Sequence, residues 1–484
     1  MNTIFHIVRS VTNRKSYELR HHSRYAHHYF AALLETLNSV IWSPALVFVC
    51  LAVGIFFTVS TLFMQIRCIP DMFQQMVGND DSESGVSSFK ALMISLAGRV
   101  GVGNIAGVAT AIAYGGPGAV FWMWIVAIFG AATSFMECTL AQIYKEKDQD
   151  TGEYRGGPAY YIEKAFQHTR ARKFMLVYAI IFAVCMVLSG GYFLMGIQAN
   201  GVADATRNAW GINVWLSAAV SAVLVGVIIM GGVKRIANFA SLVVPFMAII
   251  YILAAVIIMF VNFHHIDDVF SLIFRSAFDR EAMFSGMLGS AIMWGVKRGI
   301  YSNEAGQGTG PQSAAAAEVS HPAKQGFVQA FAVYVDTLFV CSATAFIIIS
   351  TDMYKVFEGE SQDGPVRYAG KLADGVDVGP GFVQEGLNSF VPGIGAGFVA
   401  LAIVLFAFTT VLAYYYMAET NLAYFNRWIH SRRLRLAFVW GLRVLVVVSV
   451  VVGAMTTPGN AWALGDIGVG ATAWLNIIAI VVLQ

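Results

Sequence analysis

Two short stretches of the chain carry residue types that could bind a small polar solute inside an otherwise apolar protein. They run from Gly98 to Thr110 and from Gly299 to Pro311, and both contain the pattern Asn-x-Ala-Gly-x-x-Thr. Glycine in a helix interior costs about 1 kcal/mol relative to alanine, so neither stretch suits a continuous helix. A broken helix frees backbone N–H and C=O groups, which bind carboxylates and cations. The pattern therefore predicts two interrupted helices that form one binding site.

The glycines of these stretches also fit two alternative roles. Small residues recur in membrane helices that pack closely, and Gly101-x-Gly103-x-x-Ala106 satisfies the dinucleotide-binding fingerprint. That fingerprint requires a preceding strand and an acidic residue about 20 positions later. No Asp or Glu occurs between Gly85 and Glu137, which argues against a dinucleotide site. Close packing stays open as an alternative.

The elements that position these stretches are membrane spans. Hydrophobic residues make up 57% of the 484-residue chain, charged residues 12%, and the net charge of +2 indicates no nucleic-acid partner. A soluble domain carries about 25% charged residues. Runs of about 20 apolar residues predict an all-α integral membrane protein with about eleven transmembrane helices, near 42–64, 91–113, 118–143, 174–197, 213–232, 237–261, 282–301, 327–350, 395–418, 437–456 and 465–483.

The two stretches lie in the second and the seventh of these spans. An offset of five spans turns the second copy upside down in the membrane, as in transporters built from inverted repeats. We therefore expect a polar N-terminal segment (1–38), a leading transmembrane helix (39–66), a first five-helix repeat (91–261) and a second one (282–483) with an external loop (351–394).

Lys and Arg residues concentrate in the loops that follow the odd-numbered spans, a count that includes Lys297 and Arg298 after the seventh. Basic loops face the cytoplasm. The distribution predicts an external N-terminus and a cytoplasmic C-terminus. The basic residues of segment 1–38 oppose this orientation.

Three motifs around these stretches resemble the alanine/glycine:cation symporter family. They are Gly101-Val-Gly-Asn-Ile-Ala-Gly continued by Gly115–Trp124, Met293–Gly306 followed by His321-Pro322, and Gly156-Gly-Pro-Ala-Tyr-Tyr161. The resemblance covers roughly 39–483 and implies a leucine-transporter-like core of five plus five inverted spans with broken helices, behind one leading helix. It implies sodium-coupled symport of alanine, glycine or a similar small neutral amino acid across the bacterial inner membrane. No enzymatic activity, no cofactor besides the coupling sodium ion and no obligate protein partner are expected.

The resemblance also implies where the substrate carboxylate binds. An unwound segment before a half-helix offers free amides, which places the carboxylate on the backbone N–H groups of Val102, Gly103 and Asn104. The family often has threonine where this chain has Val102, so no side-chain hydroxyl is available there.

Three further side chains are candidates for contacts with the substrate. Gln198 and Asn200, near the end of the fourth span, could bind the ammonium group or form an outer gate, although a solvated helix end would explain them equally. Trp294, just before the second break, could limit the size of the substrate side chain. A core-facing or lipid-facing tryptophan is the alternative.

The fold implied by the resemblance places sodium between the first break and a hydroxyl pair in the third helix of the second repeat. That pair is Thr409 and Thr410, and the expected carbonyl ligands are those of Ala97, Val100 and Phe406. Threonine hydroxyls can instead bond to their own helix, and this alternative stays open.

Acidic residues within the apolar runs keep a proton-coupled or exchange carrier open as the alternative, because buried acids are costly and usually functional or paired. They are Glu137, Asp336 and Glu419, and none of them is expected at either break. Glu304 is expected near Lys297 and Arg298, either as an ion pair at the cytoplasmic mouth or solvated there.

Overall fold

The computed structural model describes residue 29 and residues 32–77, 85–281 and 284–484, with only the backbone at 232 and 233. These residues are almost entirely helical. The helices are α1 (Pro44–Ser60), α2 (Met64–Arg67), α3 (Ile69–Val77), α4 (Ser88–Arg99), α5 (Val108–Gly115), α6 (Gly118–Tyr144), α7 (Pro158–Ala165), α8 (Arg172–Leu188), α9 (Leu194–Trp210), α10 (Val214–Ile229), α11 (Gly232–Val261), α12 (Ile266–Ala277), α13 (Leu288–Asn303), α14 (Gly310–Ala315), α15 (Pro322–Tyr334), α16 (Ser342–Thr351), α17 (Pro380–Phe390), α18 (Gly395–Asn426), α19 (Arg432–Met455) and α20 (Pro458–Val482).

Short irregular segments join these helices. Three are π-helical (Gly103–Gly107, Ser189–Phe193 and Val335–Cys341) and one is a 3₁₀ turn (Phe263–His265). Four short strands form two antiparallel hairpins: β1 (Glu146–Lys147) with β2 (Tyr154–Arg155), and β3 (Lys355–Phe357) with β4 (Val366–Ala369).

The two hairpins mark opposite ends of the molecule. Tyr114, at the end of α5, packs against Phe357 of β3 with the two rings tilted. From that end α6 runs for 27 residues to the β1–β2 hairpin, a length of about 40 Å at 1.5 Å per residue.

Large apolar side chains cover the outside of the long helices. On α11, Leu242 is 75% exposed, Phe246 62% and Phe260 80%. Such an apolar surface is unfavourable in water but suits contact with lipid. Each helix satisfies its own backbone hydrogen bonds, as a membrane requires. The chain is therefore an all-α, multi-pass membrane protein.

The number of spans is less sharply defined than their positions. Among the described residues, eight helical stretches are long and apolar enough to cross a membrane, and a ninth is a bent pair. The predicted spans at 213–232 and 282–301 coincide with α10 and α13, each only 16 residues long. The total of eleven remains a prediction.

The first broken helix comprises residues 88–115. α4 ends at Arg99, and its axis makes an angle of 51° with that of Gly103–Gly115. Glycine is required where the chain bends, because other groups approach closely. A Cβ atom on Gly101 would lie 2.6 Å from Thr410 Oγ1, and one on Gly103 would lie 2.9 Å from the Tyr301 ring.

The second broken helix comprises residues 288–315, and its break runs from Glu304 to Thr309. Glu304, Gly306 and Gly308 all have positive φ (+60°, +83° and +80°). Gly295 and Gly299 lie before the break, within the continuous helix α13. A Cβ atom on Gly295 would lie 2.5 Å from the Ala119 carbonyl oxygen of α6, so close packing explains these earlier glycines.

Two predicted segments differ in detail from the structure. The expected external loop 351–394 contains the β3–β4 hairpin and α17. Of the expected polar segment 1–38, residues 32–38 already belong to the helical stretch Ala32–Ser60, and the basic residues of this segment lie outside the described residues.

Candidate functional site

Thr410 of α18 connects the second repeat to the first break. Its Oγ1 lies 2.8 Å from the carbonyl oxygen of Ala97, 3.2 Å from that of Val100 and 2.8 Å from that of Phe406. The first two carbonyls lie at the C-terminal end of α4, where no following helical N–H is available to them. One hydroxyl proton cannot serve three acceptors at once. The result is an oxygen-lined position of the kind that binds a sodium ion in broken-helix transporters.

Thr409 is placed differently from its neighbour. Its hydroxyl lies 3.1 Å from the Leu405 carbonyl and 3.0 Å from the Phe406 carbonyl of its own helix, and 3.7 Å from Met247 Sδ. It therefore reaches the oxygen-lined position only through the shared carbonyl of Phe406.

The expected carboxylate cradle is occupied by protein groups. The Val102 amide donates to Gln198 Oε1 over 3.0 Å, and the Gly101 amide donates to Asn104 Oδ1 over 2.7 Å. The backbone N–H of Asn104 donates to the Gly101 carbonyl over 3.2 Å. The structure thus brings Gln198 to the break, and a substrate carboxylate at Val102 would have to displace its side-chain oxygen.

Two of the candidate side chains lie away from the breaks. Asn200 donates to the carbonyls of Gly453 and Thr456 at the end of α19. Trp294 packs on Tyr114 with 5.0 Å between ring centroids, towards the β3–β4 end. Asn200 lies two residues after Gln198 and therefore on another face of α9. Trp294 lies on the same face of α13 as Tyr301, but two turns nearer the β3–β4 end.

Tyr301, which the sequence analysis did not single out, lies beside the first break. It lies two turns further along α13 than Trp294, and its ring faces Gly103 at the first break. The ring is 3% exposed. A buried aromatic at this position limits the space beside the broken helix.

The structure corrects the expected pairing of Glu304 with Lys297 and Arg298. Both basic residues lie inside α13 and bind Asp466 of α20: Lys297 Nζ at 2.9 Å and the Arg298 guanidinium at 2.8 and 3.0 Å. Trp462 covers the Arg298 guanidinium at 4.3 Å. They are therefore not loop residues, and they provide no evidence for the orientation of the protein in the membrane. A basic residue in an apolar run needs a partner, and this rule could have identified Asp466.

The expectation that no buried acid lies at a break was wrong for two of the three. Glu137 of α6 accepts the amides of Gly306 (3.1 Å) and Gly308 (3.2 Å) in the second break. Asp336 Oδ1 accepts from Asn104 Nδ2 at 2.5 Å and from Ser302 Oγ at 3.0 Å. Glu137 and Gly306 are 169 residues apart along the chain, and Asn104 and Asp336 are 232 apart, so the sequence did not reveal these contacts.

The third acid, Glu419, belongs to an ionic network at the β1–β2 end. Arg155 of β2 is buried and lies 3.7 Å from Glu419 of α18. Arg435 of α19 makes two hydrogen bonds of 2.7 Å with Asp150 in the hairpin turn. The Arg435 guanidinium holds the pKa of Asp150 below its usual value. The hairpin thus ties the first repeat to α18 and α19.

Comparisons with known proteins show to which family this chain belongs. The model of the sodium:alanine symporter family matches residues 27–484. The sodium/proton-dependent alanine carrier protein of Bacillus sp. strain PS3 is 46% identical over 85% of this chain and 88% of its own length. The sodium/alanine symporter AgcS of Methanococcus maripaludis is 36% identical over 94% of this chain and 95% of its own length.

Solved structures with little sequence identity share the fold. A Na⁺-coupled sialic acid symporter in a substrate-bound outward-open state superposes with a TM-score of 0.54 at 13% identity, over 92% of this chain and 86% of that one. MhsT in complex with L-phenylalanine gives 0.52 at 12% identity, over 83% and 99%. These likenesses confirm the expected leucine-transporter-like fold. The chain belongs to the sodium:alanine symporter family and is a membrane transporter, not an enzyme.

Proposed function

We propose that this protein is a sodium-coupled symporter that carries alanine, glycine or a similarly small neutral amino acid into the cell across the bacterial inner membrane. Family membership supports symport, and the relatives from strain PS3 and M. maripaludis carry alanine in their names. The observation that carries the sodium assignment is the convergence of the Ala97, Val100 and Phe406 carbonyls on Thr410 Oγ1. The hydroxyl of Thr409, on the same helix, shares the Phe406 carbonyl with this position.

The substrate carboxylate binds the amides of Val102, Gly103 and Asn104, after Gln198 withdraws from Val102. The released Gln198 amide then remains beside the substrate as a polar partner. Tyr301, rather than Trp294, limits the side chain. One extra methylene gains only about 0.8 kcal/mol on burial, so larger amino acids are rejected by overlap with the ring and not by weaker attraction.

Alternating access requires that each end of the molecule opens in turn. At the β3–β4 end, the Asp466 ion pairs join α13 to α20. At the β1–β2 end, Arg155 and Glu419 join the hairpin to α18. Asn104 and Thr410 between them are at most 1% exposed. These two ionic clusters are the outer and inner gates, with the β1–β2 end in the cytoplasm.

The sodium gradient is a sufficient energy source. Entry of one charge down 100 mV releases about 2.3 kcal/mol, and a tenfold gradient adds about 1.4 kcal/mol. One sodium ion per cycle therefore supports a several-hundred-fold accumulation of a neutral substrate, since every 1.4 kcal/mol corresponds to a factor of ten.

Replacement of Thr410 by alanine tests the sodium assignment. Loss of the hydroxyl should raise the sodium concentration for half-maximal alanine uptake in proteoliposomes at least tenfold. Thr472→Ala is the matched control, because this buried hydroxyl bonds only to carbonyls of its own helix. An unchanged sodium dependence in Thr410→Ala would reject the assignment.

A proton-coupled or exchange carrier is the second candidate, favoured by the contact of Glu137 and Asp336 with the breaks. Alanine uptake driven by a pH gradient in sodium-free proteoliposomes would establish it. Uptake that requires sodium at every pH gradient would exclude it.

A further inference from the structure

One carboxyl group between the two breaks is less well provided with hydrogen-bond donors than the other buried acids there, and the hydroxyls of Thr309 and Tyr414 lie beside it. Glu304 is 0% exposed, and neither of its carboxylate oxygens has a hydrogen bond of normal geometry. Its φ of +60° is uncommon for a residue other than glycine. The side chain points at the first broken helix, where a Cβ atom on Gly98 would lie 3.2 Å from Oε1 and 3.4 Å from Oε2.

The other two buried acids at the breaks are well provided with donors. Glu137 accepts from the amides of Gly306 and Gly308 and from Asn476 Nδ2. Asp336 accepts from the side chains of Asn104, Ser302 and Thr337. Of these three carboxyl groups, only that of Glu304 makes no hydrogen bond of normal geometry within the described residues.

Arg99 is the basic residue closest to these acids along the first broken helix, and it is 2% exposed. Its guanidinium donates to the Gln329 carbonyl and to Ser134 Oγ. One guanidinium supplies the positive charge that acts on all three carboxyl groups, and a buried charge without a counter-charge is unfavourable. A bound positive charge would remove this cost.

Thr309 supplies a second oxygen for such a charge. Its hydroxyl is completely buried and has no hydrogen-bond partner of normal geometry. It closes the second break, five residues after Glu304. Gly98, which Glu304 contacts, directly follows Ala97, whose carbonyl lies at Thr410. The Glu304 carboxylate therefore borders the same turn of α4 as the proposed sodium position.

We propose that Glu304, assisted by Thr309, binds a second monovalent cation, Na⁺ or H⁺, so that two positive charges cross the membrane with each neutral amino acid. This inference rests on the proposed function. It adds a site that the Thr410 position does not require.

The charge carried per alanine tests the proposal in the unmodified protein. The membrane voltage at which net alanine flux reverses in proteoliposomes, under set alanine, sodium and pH gradients, gives this number. We expect two charges per alanine, and a value of one would overturn the proposal. If alanine, glycine and serine all show no sodium-dependent uptake, the proposed function fails instead.

The variant Glu304→Gln tests whether Glu304 binds the second cation, and it distinguishes Na⁺ from H⁺. If the cation is Na⁺, the ²²Na⁺ taken up per alanine falls from two to one. If it is H⁺, sodium uptake stays at one per alanine and the alanine-driven internal acidification, followed with trapped pyranine, disappears. A ratio of two charges retained in Glu304→Gln would overturn the assignment.

Two further variants guard this test against a general loss of folding. Glu360→Gln, in the exposed part of the external loop, should keep the unmodified ratio. Glu304→Asp keeps the charge and should keep two charges per alanine, with a weakened cation affinity. If Glu304→Gln is inactive while Glu304→Asp transports with one charge, the assignment is wrong.

Discussion

Gly101 lies where the proposed sodium and substrate positions meet. A Cβ atom there would be 2.6 Å from Thr410 Oγ1 and 3.0 Å from Gln198 Oε1, distances that the structure cannot absorb without moving both groups. Gly101→Ala should therefore lower sodium-dependent alanine uptake at least tenfold. The protein should still elute as a monodisperse peak in detergent.

Gly289→Ala is the control for this substitution. Gly289 lies in α13, and no heavy atom lies within 4 Å of a Cβ atom added there. Its uptake should equal that of the unmodified protein. Equal uptake by Gly101→Ala would mean that the contact with Thr410 has no role in transport.

At the same residue scale, the sequence predicted which types of polar residue form the site more reliably than where each of them lies. Thr410 and its three carbonyls were found because the resemblance fixed which helix faces the first break. Tyr301 was not singled out, although it shares a face of α13 with Trp294, because the sequence does not show which turn of that helix meets Gly103. Asp466 was not identified because Lys297 and Arg298 were assigned to a loop, whereas both lie within α13 and need a buried acidic partner.

Asp466 tests the connection between α13 and α20 at the scale of elements. Asp466→Asn leaves Lys297 and Arg298 buried without a counter-charge, and breaking a buried ion pair from one side costs about 3–5 kcal/mol. The midpoint of thermal unfolding in detergent should fall by several degrees. Asp352→Asn, at a partly exposed carboxylate in the loop after α16, should change it little; equal midpoints for both variants would contradict the role of Asp466.

The β1–β2 hairpin should loosen in acid. Because Arg435 lowers the pKa of Asp150 in the folded protein, this pair stabilises the hairpin above the usual carboxyl pKa of about 3.9 and is lost as the pH falls through the lowered value. Hydrogen exchange of amides 146–155, corrected for intrinsic rates, should be constant from pH 8 to 6 and accelerate at strongly acidic pH. Asp150→Asn should exchange faster at neutral pH and lose this acid dependence. A dependence retained in the variant would assign it to other groups.

The elements themselves were largely predictable. Apolar runs located the helices, and the repeated Asn-x-Ala-Gly-x-x-Thr pattern located both interruptions. The predicted second stretch began at Gly299, before the observed break, because Gly299 resembles a helix breaker in sequence but allows α13 to pack on α6. The short lengths of α10 and α13 explain why hydropathy alone does not settle the number of spans.

At the scale of the whole molecule, the orientation in the membrane that loop charge predicts can be tested directly. Single cysteines at the exposed positions Glu360 and Gln149 should differ in reactivity towards a membrane-impermeant maleimide in intact cells. Glu360→Cys should react and Gln149→Cys should react only after lysis. Labelling of the unmodified chain measures the background from its own cysteines. The reverse labelling pattern would show that the proposed topology is inverted.

Sodium-dependent binding of amino acids to the purified protein tests the central claim most directly. Isothermal calorimetry with glycine, alanine, serine and leucine, each in sodium and in potassium, separates the coupling ion from the substrate. The account predicts that alanine or glycine binds in sodium with at least tenfold higher affinity than in potassium, and that leucine does not bind. Failure of glycine, alanine and serine to bind in either cation would contradict it.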